Sequence, residues 1–116
     1  VLTQFLVKKT SHLHLIEIDR ESVSYLNQHY PDLKKNIHEV DFLTLNLEDK
    51  FPGPLHIIGN FPYNISSQIF FKVLDHRSQV KQVVCMLQKE VADRLERNSE
   101  LLRRRLQTNL CFSCRI

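Results

Sequence analysis

Ile58-Gly59-Asn60-Phe61-Pro62-Tyr63-Asn64-Ile65-Ser66 decides the fold, because it follows a strand-forming run and brings together a backbone constraint, an aromatic ring and an amide. Pro62 fixes its own φ and biases Phe61 toward an extended backbone, which can aim the Phe61 carbonyl into a pocket instead of into a helix. Asn60 adds a second acceptor beside it. Two acceptors taking the two hydrogens of an exocyclic nucleobase amine favour its pyramidal, nucleophilic form. Tyr63 supplies a π-face against which a base can lie. The preceding Leu55-His56-Ile57-Ile58 reads as a short buried strand, so the motif falls at a strand's carboxyl end, where open α/β sheets bind ligands. The plainer alternative is a strand-to-helix turn in which Asn64 or Ser66 caps the helix.

Outward from this stretch, strands and helices alternate. Upstream, residues 1–9 read as a helix with Leu2, Phe5 and Leu6 on one face, and residues 13–18 as a strand that ends in the acids Glu17 and Asp19. Glu17 stands where a Rossmann-like unit places an acid for ribose hydroxyls, provided that a glycine turn lies just before Val1. Asp19 reads as the cap of a helix over residues 20–30 that Pro31 ends. A short strand over 36–40 leads to Asp41 and Phe42, a connector over 43–50 follows, and Phe51-Pro52-Gly53-Pro54 reads as a turn. Downstream, Ile69, Phe70, Val73 and Leu74 form the stripe of an amphipathic helix. Residues 82–87 read as another buried strand, with Cys85 as a small hydrophobe in it, and residues 88–95 as a helix. The alternation implies a doubly wound α/β sheet.

Asn60-Phe61-Pro62-Tyr63-Asn64-Ile65-Ser66 resembles the Asn-Leu-Pro-Tyr-Asn-Ile-Ser signature of the ribosomal RNA adenine N6-dimethyltransferases, small-subunit branch. The segment Met86-Leu87-Gln88-Lys89-Glu90-Val91-Ala92-Asp93-Arg94-Leu95 is similar to one that follows the catalytic unit in that family, and Val1-Leu2-Thr3 to the end of its glycine-rich motif. The resemblance implies a partial class I, Rossmann-like methyltransferase fold in which the first strand and the Gly-rich turn are absent from this sequence. It also implies S-adenosylmethionine as cofactor, with Glu17 on its ribose, Asp41 and the Phe42 N–H on its adenine, and Asn60 beside it. Asn60, Phe61, Pro62 and Tyr63 become the catalytic set, acting on an adenosine flipped out or unpaired so that its N6 can be reached. The implied reaction is two methyl transfers to each of two adjacent adenosines near the 3′ end of small-subunit ribosomal RNA. The partner is that RNA or a precursor small-subunit particle, met by a monomer. The large-subunit branch of macrolide-resistance type and a non-catalytic RNA-binding or assembly factor are the alternatives.

Domain boundaries expected from this are a partial catalytic domain over 1–95 and a divergent basic tail over 96–116. The tail departs from the family pattern abruptly, as an out-of-frame end would. Of the net charge of +3, residues 94–116 hold six arginines against two glutamates, so the other 93 residues sum to −1. RNA as substrate therefore rests on the motif and not on charge. Three cysteines without a leader argue against a disulfide framework, and the single Cys111-Phe112-Ser113-Cys114 pair is too few ligands for zinc, so no metal is expected. No apolar run reaches membrane-spanning length, and the expected compartment is the cytoplasm. Without its central strand the sheet is expected to be compromised or re-paired, and the residues present to have little activity alone.

Overall fold

The computed structural model describes residues 2–62, 64–86, 89, 90, 93, 94, 97 and, for the backbone alone, 111–115. Two compact units divide the chain, Val1–Leu45 and Asn46–Ile116. Both are α/β with parallel strands, in agreement with the expected class.

The first unit opens with helix α1 (Leu2–Leu6), shorter than the expected nine residues. Its last turn tightens: Lys9 and Thr10 both donate to Leu6 O, which closes the helix before the lysines can extend it. Strand β1 (Leu15–Glu17) is followed by α2 (Arg20–His29), and strand β2 (Ile37–Glu39) lies parallel to β1, with Leu15, Ile16 and Glu17 opposite Ile37, His38 and Glu39. Asp19 caps α2 as expected, accepting the Ser22 N–H at 2.8 Å from an extended backbone. Hydrogen bonds from Ser22, the hydroxyl first and the backbone N–H second, hold the Asp19 carboxyl below the usual carboxylate range. Val23 is buried. Asn27, which the pattern turns toward solvent, is half-buried and returns its Nδ2 to Val23 O at 3.0 Å. Pro31 ends α2 but also begins a 3₁₀ helix (Pro31–Asn36), since its fixed φ suits a first helical turn.

The second unit contains α3 (Leu47–Lys50), β3 (Leu55–Asn60), α4 (Ser66–Asp75), β4 (Val80–Met86) and β5 (Cys111–Arg115). The sheet order is β3-β4-β5, parallel throughout. Its core is Leu47, Phe51, Ile69, Phe70, Val73, Val80, Val83 and Cys85. The stripe read from α4 is the buried one, with Ile69 and Phe70 at 3% and Val73 at 0% exposure, while Phe71 faces out at 66%. Along β3, Leu55, Ile57 and Gly59 are half-buried and alternate with exposed His56, Ile58 and Asn60, the period of two that one covered face imposes. α3 is a short helix where the sequence suggests only a connector. Asn46 caps it, accepting from the Glu48 and Asp49 N–H groups, and the Gln79 side chain donates to Leu47 O and Phe51 O.

β1 and β3, the strands that end at Glu17 and Asn60, do not pair with one another: β1 has β2 as its one partner and β3 has β4 among the described residues. Among the described residues β1 and β3 belong to two separate sheets, and the expected re-pairing of the two is not found. No described helix is long and apolar enough to cross a membrane.

Candidate active site

In the first unit both candidate acids stand at the carboxyl end of parallel strands. Glu17 is the last residue of β1, half-buried, and its Oε1 accepts the N–H groups of Ile18 at 2.9 Å and Asp19 at 3.0 Å. Those two bonds fix the carboxylate over the chain that leaves the strand. Its backbone oxygen accepts from Val40 at 3.1 Å, which ties the end of β1 to the segment entering Asp41. Asp41 builds its own turn: Oδ1 accepts the Leu43 N–H at 2.9 Å, and its carbonyl accepts both the N–H and the hydroxyl of Thr44. The turn reading and the ligand reading of Asp41 are compatible, since a carboxylate has a second oxygen. Phe42 is half-buried within this turn. At the end of β2, Glu39 meets Arg20 at 3.3 Å; both side chains are exposed, so the pair contributes about 0–1 kcal/mol.

In the second unit, Asn60 ends β3 with an exposed side chain, opposite Met86 at the end of β4. Phe61 is half-buried and its ring meets that of Phe70 edge-on, centroids 6.2 Å apart at 77°. Pro62 is exposed, and its carbonyl accepts the Ile65 N–H at 3.1 Å, closing a turn that delivers the chain into α4. Tyr63 lies outside the described residues. The N-cap of α4 is Ile65, with no side-chain cap bond; Asn64 is exposed one residue earlier, and Ser66 is buried at 1% inside the first turn. Neither Asn64 nor Ser66 is the N-cap residue itself. Cys85 is buried in the core, and among the described residues no cluster of three metal-binding side chains occurs. Cys111 and Cys114 fall in β5, of which only the backbone is described. A shallow depression lined by Glu48, Gly53, Gln79 and Lys81 opens at the opposite, amino end of β3 and β4, so it does not involve the motif.

The structure thus groups Glu17, Asp41 and Phe42 at one strand end of the first unit, and Asn60, Phe61 and Pro62 at the corresponding strand end of the second. Sequence reasoning gave Gly59 no role, although a glycine inside a strand is the usual mark of close backbone approach.

The family model described as "Ribosomal RNA adenine dimethylase" matches residues 1–116. Among curated proteins, the chain is 59% identical over 95 residues to a protein of Parabacteroides distasonis named "Ribosomal RNA small subunit methyltransferase A", covering 82% of this chain and 36% of the relative. Proteins of the same name match from Bacteroides fragilis, 54% identical over 96 residues, and from Cytophaga hutchinsonii, 53% identical over 95 residues. These matches cover 82% and 81% of this chain and 35% and 37% of the relatives. The chain spans about a third of the length of the curated relatives it matches. No solved structure matches it. With the family model matched from end to end, and the motif seated at a strand's carboxyl end, the chain belongs to the ribosomal RNA adenine dimethylase family.

Proposed function

We propose that the protein carrying this chain transfers methyl groups from S-adenosylmethionine to the N6 of adenosines in small-subunit ribosomal RNA, two to each of two adjacent residues near its 3′ end. The observation that carries the reading is the placement of Asn60-Phe61-Pro62 as a turn at the carboxyl end of a parallel strand, inside a chain that matches relatives of that name. The donor set suits the cofactor. Glu17 and Asp41 each commit one carboxylate oxygen to a local turn, which orients the group. The other oxygen is the one to accept from ribose hydroxyls at Glu17 and from the adenine amino group at Asp41. The Phe42 N–H is the matching donor to the adenine ring. Asn60 lies alongside the cofactor as well as the substrate amine.

S-adenosylmethionine, when bound, supplies an activated methyl group, and the rest is positioning by this chain. The Asn60 side-chain oxygen and the Phe61 carbonyl accept the two N6 hydrogens, which localises the nitrogen lone pair. Pro62 keeps the Phe61 backbone extended, and Tyr63 gives the base a stacking surface. No side chain has to remove a proton beforehand, because the methylated ammonium is acidic enough to lose it to water. Catalysis of this kind is orientation and electrostatics. The protein acts as a monomer on RNA or a precursor particle, and residues 1–95 are the catalytic portion, with 96–116 a divergent basic tail.

The test is label transfer. The full-length protein carrying this chain, given S-adenosylmethionine with a labelled methyl group, is expected to label small-subunit RNA. Label confined to large-subunit RNA, or RNA binding without any label transfer, would overturn the reading.

A further inference from the structure

The two glycines of the chain are there for different reasons. Gly53 has φ +99° and open space around it, so it serves a turn that side-chain-bearing residues rarely adopt. Gly59 is not among the positive-φ glycines, yet it has no room. A Cβ placed there would stand 2.6 Å from Cε1 of Phe61, 3.1 Å from Cδ1 and 3.6 Å from Cζ. The Phe61 ring therefore lies folded back on the strand that precedes it, its edge against the one residue of β3 with no side chain. It lies on the helix-covered face, that of half-buried Ile57 and buried Cys85, where its edge contact is the buried Phe70 of α4. Asn60, between the two, keeps its side chain on the opposite, exposed face.

We propose that Gly59 is a positioning residue: its missing side chain is the seat of the Phe61 ring, and this seat, closed on the other side by Phe70, sets the course of the backbone through Asn60 and Pro62. The inference rests on the reading of these residues as the amine-holding turn. A strand-interior glycine carries a cost in conformational entropy, and here that cost gives the ring a fixed place to dock. With the ring docked, the main chain that carries the Asn60 amide and the Phe61 carbonyl is anchored from the side facing away from the exposed Asn60 side chain. A Cβ at 59 leaves the ring nowhere to sit, because 2.6 Å is well inside van der Waals contact and the neighbour is a rigid ring held edge-on by the buried Phe70. The ring must swing out and take the two acceptors with it.

The geometry also fixes which substitution restores function. Leucine in place of Phe61, the residue that the family signature has there, lacks the atoms that would stand 2.6 and 3.6 Å from the added methyl and keeps only branches near the position of Cδ1, where a shift of a few tenths of an ångström suffices.

The experiment is a double-mutant cycle in the full-length protein carrying this chain, with Gly59→Ala, Phe61→Leu and both together. Gly59→Ala is expected to lower kcat for methyl transfer by ~100-fold, the scale on which misplacement of about an ångström acts. KM for RNA should stay within a few-fold. In the Phe61→Leu background the same glycine replacement is expected to lower kcat by no more than ~10-fold. Equal losses in the two backgrounds, or no loss from Gly59→Ala, overturn the proposal. A second readout needs no activity: in the wild-type chain the Phe61 ring protons give nuclear Overhauser contacts to a Gly59 Hα, because the edge of the ring lies against that residue. Absence of those contacts overturns the seat directly, whereas absence of methyl transfer by the wild type with the contacts present overturns the proposed function alone.

Discussion

At the scale of single residues, three carboxylates of the first unit are held by their immediate backbone. Glu17, Asp19 and Asp41 each have one carboxylate oxygen bound to N–H groups one to three residues ahead, so their orientation is set locally. Asp19 gives this a measurable consequence. Its folded-state pKa lies below the ordinary value because Ser22 hydrogen-bonds the charged form. A depressed carboxylate contributes stability that is present above its unfolded pKa, about 3.9, and is lost as the pH falls through its folded pKa. Asp19→Asn keeps an N-cap oxygen but cannot titrate. The melting temperature of the wild type relative to Asp19→Asn is therefore expected to hold steady from neutrality to about pH 5 and to fall below about pH 4. Thermal melts across that range check it, and a difference that acid leaves unchanged would contradict it. The capping role of Asp19 was legible in the residues alone, since an Asp before a helical pattern is a cap by type, and Pro62 after a strand-forming run announced a turn. The approach of Phe61 to Gly59 was not, because it is a distance between a ring and a backbone and leaves no periodic trace.

At the scale of elements, the readable parts are those with a strong period. α4 declared its buried face through Ile69, Phe70, Val73 and Leu74, and β3 and β4 through their β-branched runs. α3 escaped notice because four residues are too few for a stripe, although Asn46 followed by Leu47, Glu48 and Asp49 is a capped start with acids in the first turn. The 3₁₀ helix after Pro31 escaped because proline marks both an end and a beginning. Small as it is, α3 anchors the second unit. Leu47 is 1% exposed, and the Gln79 side chain binds the Leu47 carbonyl from the turn before β4. Leu47→Ala is expected to destabilise the fold by about 2–5 kcal/mol, with part of the cost set by how far the site can collapse. Urea unfolding measures it; a loss below about 1 kcal/mol would show that α3 is not part of the core.

At the scale of the whole molecule, each of the two parallel sheets has candidate site residues at the carboxyl ends of its strands. Parallel pairing is non-local, and nothing in the composition announced that β1 would take β2 or that β3 would take β4. The α/β class itself was plain from the alternation of patterns. The account's central claim is that Asn60 acts on the adenosine amine through its side-chain oxygen, and this is tested most directly by comparing Asn60→Ala with the wild type in the full-length protein carrying this chain. Mass spectrometry of digested small-subunit RNA is predicted to find N6,N6-dimethyladenosine formed by the wild type, and its rate of formation lowered ~100-fold or more in Asn60→Ala with the fold intact by circular dichroism. Dimethyladenosine formed by Asn60→Ala at the wild-type rate would contradict the account.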